Sequence, residues 1–557
     1  MLPISTDVAA AATLGLISLW LVKRVVDYRR DVSLIGDIPG YRGLGPANSS
    51  LYGLMHAKVL QLVEDGYLFS QKHLHYERLG WDVISSVYWF SSKPRFYITD
   101  ANVIQHIGAT RNQFQKPVKF YEVFNLFGRN VITVEGTEWS RHRKVTSRAF
   151  SERNIQVVWE HTTRIVNEMF ESDWSRQGNV VVLEDVLHSV IQLSMLVIMA
   201  AGFGQEDTWI ANPTVPKGHS MTFRKALHDA VENIILRVSV PQWVWGSEAD
   251  RATLAVAGPG GNGWLGKKVQ HVAVAYSEVA SYMREMLADQ LGSGQTQTVN
   301  GERGNLFHNL VAALEDQNKS GALPMDAVFG NTFMFMMGGF ETSAHAISFT
   351  LGLLALEQEE QEKLYNHINE VLQDREPTFD DITKLTRVLA VFLETTRLYP
   401  PTAETTRIVT EDAAFSVGAA LSDADIASGK VDERHKEIMI PKGSEVVIDM
   451  SGVHHNPRYW PDPYTFKPDR FLDANWPREA HTSFWLGPRA CMGKRFAEVE
   501  AMTVITLIVR RYKLTVDTKR FPDIPGETKL ERRERVLKVK LPFMITPCGI
   551  PLVLTRR

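Results

Sequence analysis

One stretch of the chain carries the residue types that metal chemistry needs: Phe484-Trp485-Leu486-Gly487-Pro488-Arg489-Ala490-Cys491-Met492-Gly493. A lone Cys stands between two glycines, just after an Arg, and a helical pattern runs on from Lys494 to Val509. A thiolate at a helix N-terminus is stabilised by free backbone N–H groups and by the positive end of the dipole. Gly487 and Gly493 let the backbone take unusual dihedrals or approach a flat ligand closely. Arg489 offers a planar fork of donors for a carboxylate. Together these residues describe an anionic sulfur under a planar metal cofactor that bears acid groups. Taken alone, Cys491 is as well read as a small buried hydrophobe, the common fate of a free Cys.

A second stretch, Phe333-Met334-Phe335-Met336-Met337-Gly338-Gly339-Phe340-Glu341-Thr342-Ser343, falls inside an apolar pattern that predicts a helix over about 325–356. Two adjacent glycines in a helix interior cost about 1 kcal/mol each relative to Ala. That cost suggests a need for space, and an acid and an alcohol follow directly. The bland alternative is a helix-packing glycine pair with a solvated Glu. A third signal is Trp139 with Arg143, four apart and so on one helical face. Such pairs are often surface stacking.

The first stretch resembles the haem-ligand loop of the cytochrome P450 family, F-x-x-G-x-R-x-C-x-G, and all five fixed positions are present: Phe484, Gly487, Arg489, Cys491 and Gly493. Gly338-Gly339-Phe340-Glu341-Thr342 is similar to the family's oxygen-binding helix. The resemblance implies Cys491 as the iron ligand and Gly338 and Gly339 as the space for dioxygen. It implies Thr342 and Glu341 as the pair that bonds and protonates the bound oxygen. Trp139 and Arg143 match the family's W-x-x-x-R, and Arg407 and Arg489 its other propionate-binding arginines. Glu394 and Arg397 match E-x-x-R, joined by Arg470 of Phe466-Lys467-Pro468-Asp469-Arg470-Phe471 in a buried structural network.

The resemblance runs from about residue 36 to the C-terminus, and its overall style is that of fungal microsomal members. It implies a mostly α fold with a smaller β-rich part and haem b (iron protoporphyrin IX) as cofactor. The implied reaction inserts one oxygen atom from dioxygen into a small lipophilic substrate, such as a sterol, triterpenoid, fatty acid or polycyclic aromatic. NADPH-cytochrome P450 reductase is the expected electron donor, with cytochrome b5 as a second one. Lys494 and Arg495 are candidates to meet the reductase's acidic surface. Two other readings stay open: a haem-thiolate isomerase or reductase acting without dioxygen, and a non-enzymatic haem-binding membrane protein.

The totals agree with this class. The chain has 557 residues, 44% of them hydrophobic, ample for a large core. Net charge is −3, so no global basic surface points to nucleic acid. Two cysteines exclude a disulfide framework and fit a reducing compartment. Gly258 to Gly263 satisfies the spacing of a dinucleotide loop, but no second strand follows in a βαβ unit. Lys268 stands where a phosphate loop needs Ser or Thr.

The elements that must position these residues follow in order. Leu2 to Val22 is apolar apart from Asp7 and is followed by Lys23, Arg24, Arg29 and Arg30. It reads as one uncleaved transmembrane helix, with the catalytic part cytosolic at the endoplasmic reticulum membrane. The expected organisation is an anchor over 1–30, a Pro/Gly-rich linker over 31–50 and one catalytic domain over 51–557. Residues 83–99 read as a β-hairpin, with Asp100 capping the helix after it. The aromatics Phe120, Tyr121, Phe124 and Phe127 are candidates to cover substrate. Helical patterns run over 153–173, 181–202, 218–240 and 265–290. The tryptophans of 241–266 are candidates to dip into the membrane interface. Thr402 to Thr406 reads as a polar substrate contact or a solvated turn, and 411–437 as a surface excursion. His454-His455 suggests metal, but no third ligand is placed to join them.

Overall fold

The computed structural model describes residues 6–43, 67–89, 93–210, 214–240, 245, 264–292, 305–315, 322–429, 434–541 and 544–557. The glycine-rich run Gly258–Gly263 and most of the tryptophan-rich loop lie outside them. The chain divides into two compact units.

The first unit comprises 1–117, 402–464 and 477–490. It opens with helix α1, Thr6–Ile35. The expected transmembrane span is not found here, since among the described residues no helix is long and apolar enough to cross a membrane. The first residues of the expected span, Leu2 to Ser5, lie outside the described residues. The same helix then continues through Lys23, Arg24, Asp27, Arg29, Arg30 and Asp31. Its second half packs on the unit instead. Tyr28 lies 5.7 Å from Trp89, ring to ring, and Arg24 donates to the Trp89 carbonyl.

A six-stranded mixed sheet follows. Its strands are β1 (Gly40–Gly43), β2 (Val83–Tyr88), β3 (Arg95–Ile98), β4 (Phe114–Gln115), β5 (Glu404–Val409) and, after two further strands, β8 (Glu445–Asp449). The order is β1-β2-β3-β8-β5-β4. β2 and β3 are antiparallel, with Val83 opposite Ile98, as the hairpin reading expects. Asp100 caps the next helix by accepting from the N–H groups of Asn102 and Val103. The supposed surface excursion is built differently. Strands β6 (Ala413–Gly418) and β7 (His435–Ile440) form an antiparallel ribbon in which Ala413, Phe415 and Val417 are buried. Alternating apolar positions held between charges suffice for a half-buried strand.

The second unit comprises 118–401, 465–476 and 491–557 and is mostly helical. The helices that matter for the site are α2 (Gly136–Thr146), α3 (Val186–Val197), α4 (Met325–Leu356), α5 (Thr386–Leu398) and α6 (Lys494–Arg511). α4 is buried along most of its 32 residues, as an all-round apolar helix must be. The helix expected over 181–202 begins late. Val180–Leu183 is a strand, β-branched and paired antiparallel with Leu552–Arg556. The 218–240 pattern breaks into two helices at Asn233.

Candidate active site

The cysteine loop leads into α6. Gly487, at φ +67°, needs to be Gly, since a Cβ there would lie 2.5 Å from the Gly108 carbonyl oxygen. Gly493 caps α6 in an ordinary backbone conformation, and its Cβ would lie 3.9 Å from the Cys491 sulfur. A Cβ there would make only ordinary contact with the sulfur, and the position takes no unusual dihedral. Cys491 is exposed, with protein close around its sulfur. Desolvation pushes its thiol up; the N–H groups of Gly493 and Lys494 and the Arg143 cation pull it down. These are donors that a thiolate at a helix start requires. Thr146 on α2 also reaches Met492, next to the Cys, at 3.3 Å from oxygen to sulfur.

Trp139 and Arg143 both stand on α2, with Trp139 buried. Burial holds the Arg143 guanidinium slightly below its ordinary range, and Cys491 opposes that. In the first unit Arg407 is buried at 5% exposure on β5. Its Nη1 donates to Thr405 Oγ1 and to the Thr406 carbonyl, both at 2.8 Å. The polar run before it therefore holds an arginine in place, a use that its composition alone did not suggest. Arg489 is half-buried in the same unit.

The two glycines of α4 differ. A Cβ on Gly338 would meet nothing within 4 Å, so this position borders open space. A Cβ on Gly339 would lie 2.8 and 2.9 Å from the Ile198 side chain, so this glycine permits helix packing. Thr342 donates from Oγ1 to the Gly338 carbonyl at 2.7 Å, a bond that satisfies the hydroxyl within its own helix turn. Burial alone pushes the Glu341 carboxyl up to about 7. It can exchange a proton at neutral pH.

The supporting network has a fully buried centre, Glu394 and Arg397. Arg397 donates to Glu394 from Nε at 2.7 Å and from Nη2 at 2.8 Å; Arg470 donates from Nε at 3.2 Å. The Lys467 N–H adds 2.8 Å. The histidine pair is buried too. His454 Nε2 accepts from the Thr482 N–H at 2.8 Å, and His455 Nδ1 lies 2.8 Å from the Ser451 carbonyl. Each thus has one ring nitrogen bonded to a backbone group, and among the described residues neither belongs to a cluster of three His, Cys, Asp or Glu side chains that could share an ion. Of the aromatics, Phe120 is 62% exposed, whereas Phe127 lies 4.7 Å from Phe333 of α4. Trp245 is buried over Arg237 and bonds the Val240 carbonyl, so it is not offered to a membrane.

Comparison with known proteins decides the family. The cytochrome P450 family model matches residues 85–417 and 430–544. The chain belongs to the cytochrome P450 family. It is 35% identical over 548 residues to cytochrome P450 monooxygenase 124 of Postia placenta, covering 98% of each chain. It is 27% identical to cytochrome P450 monooxygenase AOL_s00215g278 of Arthrobotrys oligospora, over 79% of this chain and 77% of that one. Human cytochrome P450 4V2 is 25% identical over 90% of this chain and 89% of its own. The P450 family carries a haem-thiolate cofactor. The residues present in the second unit fit one: a sulfur that takes the N–H groups of Gly493 and Lys494 with the Arg143 cation nearby, and a position on α4, Gly338, that borders open space.

Proposed function

We propose that this P450 is a monooxygenase acting on a small lipophilic substrate (a sterol, triterpenoid, fatty acid or polycyclic aromatic), with Cys491 holding the iron of haem b. The observation that carries this reading is the turn Gly338–Thr342, where an open helix face, an alcohol and a carboxyl near neutrality share one stretch of α4. Haem b, when bound, supplies the redox centre for dioxygen activation. Trp139, Arg143, Arg407 and Arg489 would hold its acid groups, as the family motifs imply. Gly493 and Lys494 favour the Cys491 thiolate through their N–H groups. Thr342 turns its hydroxyl from the Gly338 carbonyl toward the open face, and Glu341 replaces the proton that Thr342 passes on.

The second unit has a cavity of about 480 Å³ beside α4's first turns, lined by Leu126, Phe127, Met283 and Phe329 together with Arg237, Arg284 and Asp326. Electrons come from an NADPH-dependent reductase, with cytochrome b5 as a second donor. Lys494, 51% exposed, and Arg495 beside it suit its acidic surface. The setting is the endoplasmic reticulum membrane, which the exposed Leu14, Leu16, Leu19 and Trp20 of α1 would meet at its surface. The test is a substrate-induced spin-shift screen against sterols, fatty acids and aromatics. Hits are then incubated with reductase and NADPH. Product formation with wild-type protein, and NADPH use without product in Thr342→Ala, is the expected result. Equal product from both would refute the proton assignment.

A further inference from the structure

Trp485 has no role in the reading so far, yet three observations single it out. Its backbone takes φ +59°, one of four described non-glycine residues on the left-handed side. A bulky residue there costs on the order of 1–3 kcal/mol and persists only when its surroundings hold it. They do hold it. The Trp485 N–H closes a turn on the Thr482 carbonyl at 2.8 Å. The Thr482 N–H is in turn anchored to buried His454 at 2.8 Å. Two residues on, Gly487 seats the chain against the backbone of Gly108.

The second observation is the ring's neighbour. The Arg407 guanidinium lies 4.6 Å from the indole centre, a cation–π stack. The third is the indole N–H. Nε1 is buried and has no hydrogen-bond acceptor among the described residues. Burying such a donor unpaired costs about 1–3 kcal/mol. The chain thus accepts backbone strain to place a large ring beside an arginine and gives the ring's single donor no partner of its own.

An acceptor that answers both groups is anionic, planar and not part of the chain, which describes a carboxylate. We propose that Trp485 is a cofactor-binding residue: its Nε1–H donates to a haem propionate while its ring fixes the Arg407 fork that binds the same group. This rests on the haem reading but not on the roles given to Thr342 and Glu341.

The test is haem retention. Holoprotein is mixed with excess apomyoglobin and haem transfer is followed by absorbance. Trp485→Phe keeps a ring over Arg407 and removes the donor, so it should release haem roughly tenfold faster than wild type. With haem dimethyl ester, whose acid groups carry no charge, wild type and Trp485→Phe should release at similar rates. Equal rates with ordinary haem would overturn the proposal, as would a difference that persists with the diester. Should Trp485→Phe fail to fold, the indole isostere benzothienylalanine at position 485 replaces N–H by sulfur at unchanged shape. It must show the same acceleration, and a wild-type rate would overturn the proposal. A wild-type chain that takes up no haem would sink the cofactor reading itself, which equal rates in a loaded pair would not.

Discussion

Glu394→Gln is the sharpest perturbation of the scaffold. Glu394 and Arg397 are 0% exposed and the Arg470 side chain 9%. One carboxylate therefore answers two guanidinium groups, at 2.7 and 3.2 Å, and a backbone N–H. At an effective dielectric of about 20, a unit pair at 4 Å is worth about 4 kcal/mol. Much of that is consumed by desolvating the ions when the pair forms. Removing one partner is different, because the cations stay buried with nothing to neutralise them. The loss should be about 3–5 kcal/mol. For a unit of this size that lowers the thermal midpoint on the order of 5 °C. Glu138→Gln is the control. Glu138 also holds an arginine, Arg129, at 2.8 and 3.0 Å, but the two side chains are 35% and 61% exposed. Exposed pairs are worth about 1 kcal/mol or less. Melting curves of the two purified variants, side by side, decide the matter. If they unfold within a degree of each other, burial is not what makes this network matter.

Two further perturbations follow from the same structure. Gly339→Ala should destabilise by about 1–3 kcal/mol through its clash with Ile198; Gly338→Ala should leave apoprotein stability unchanged or raise it, since nothing opposes its Cβ. Urea midpoints check both, and equal losses would contradict the division of labour between the two glycines. Glu500, on α6, has both oxygens buried, and burial pushes its carboxyl up to about 8 against the Ser194 and Ser343 hydroxyls, which pull it down. A folded-state value above the unfolded one means that the native chain keeps a proton the unfolded chain has lost. Its effect is absent below about pH 4.5 and grows as a penalty up to about pH 8. Glu500→Gln should therefore gain stability over wild type, by a few kcal/mol, between pH 5.5 and 8.5. A difference independent of pH would refute the assignment.

Local chemistry was legible in the sequence where it depends on neighbours in the chain. The Cys491 loop, the long helix carrying Glu341 and Thr342, and the Asp100 cap are all set by residues a few positions apart. The features that escaped depend on distant partners. Val180–Leu183 becomes a strand because Leu552–Arg556 pairs with it, near the other end of the chain. Gly338 and Gly339 look alike until Ile198 is placed against one of them. Thr405 and Thr406 look solvated until Arg407 turns back on them. The apolar N-terminal run is ambiguous for another reason: composition cannot say where a helix stops. Here it runs straight on through six charged residues, with Arg24 and Tyr28 meeting Trp89 of the same unit.

The central claim is that Cys491 supplies the iron's sulfur ligand. The carbon monoxide complex of the dithionite-reduced protein tests it most directly. Wild type should absorb at the Soret position of a thiolate-ligated haem, and Cys491→Ser should lose that band while still accumulating as folded protein. A Cys491→Ser variant that keeps the band, or a wild type that shows only imidazole-type absorption, would contradict the account.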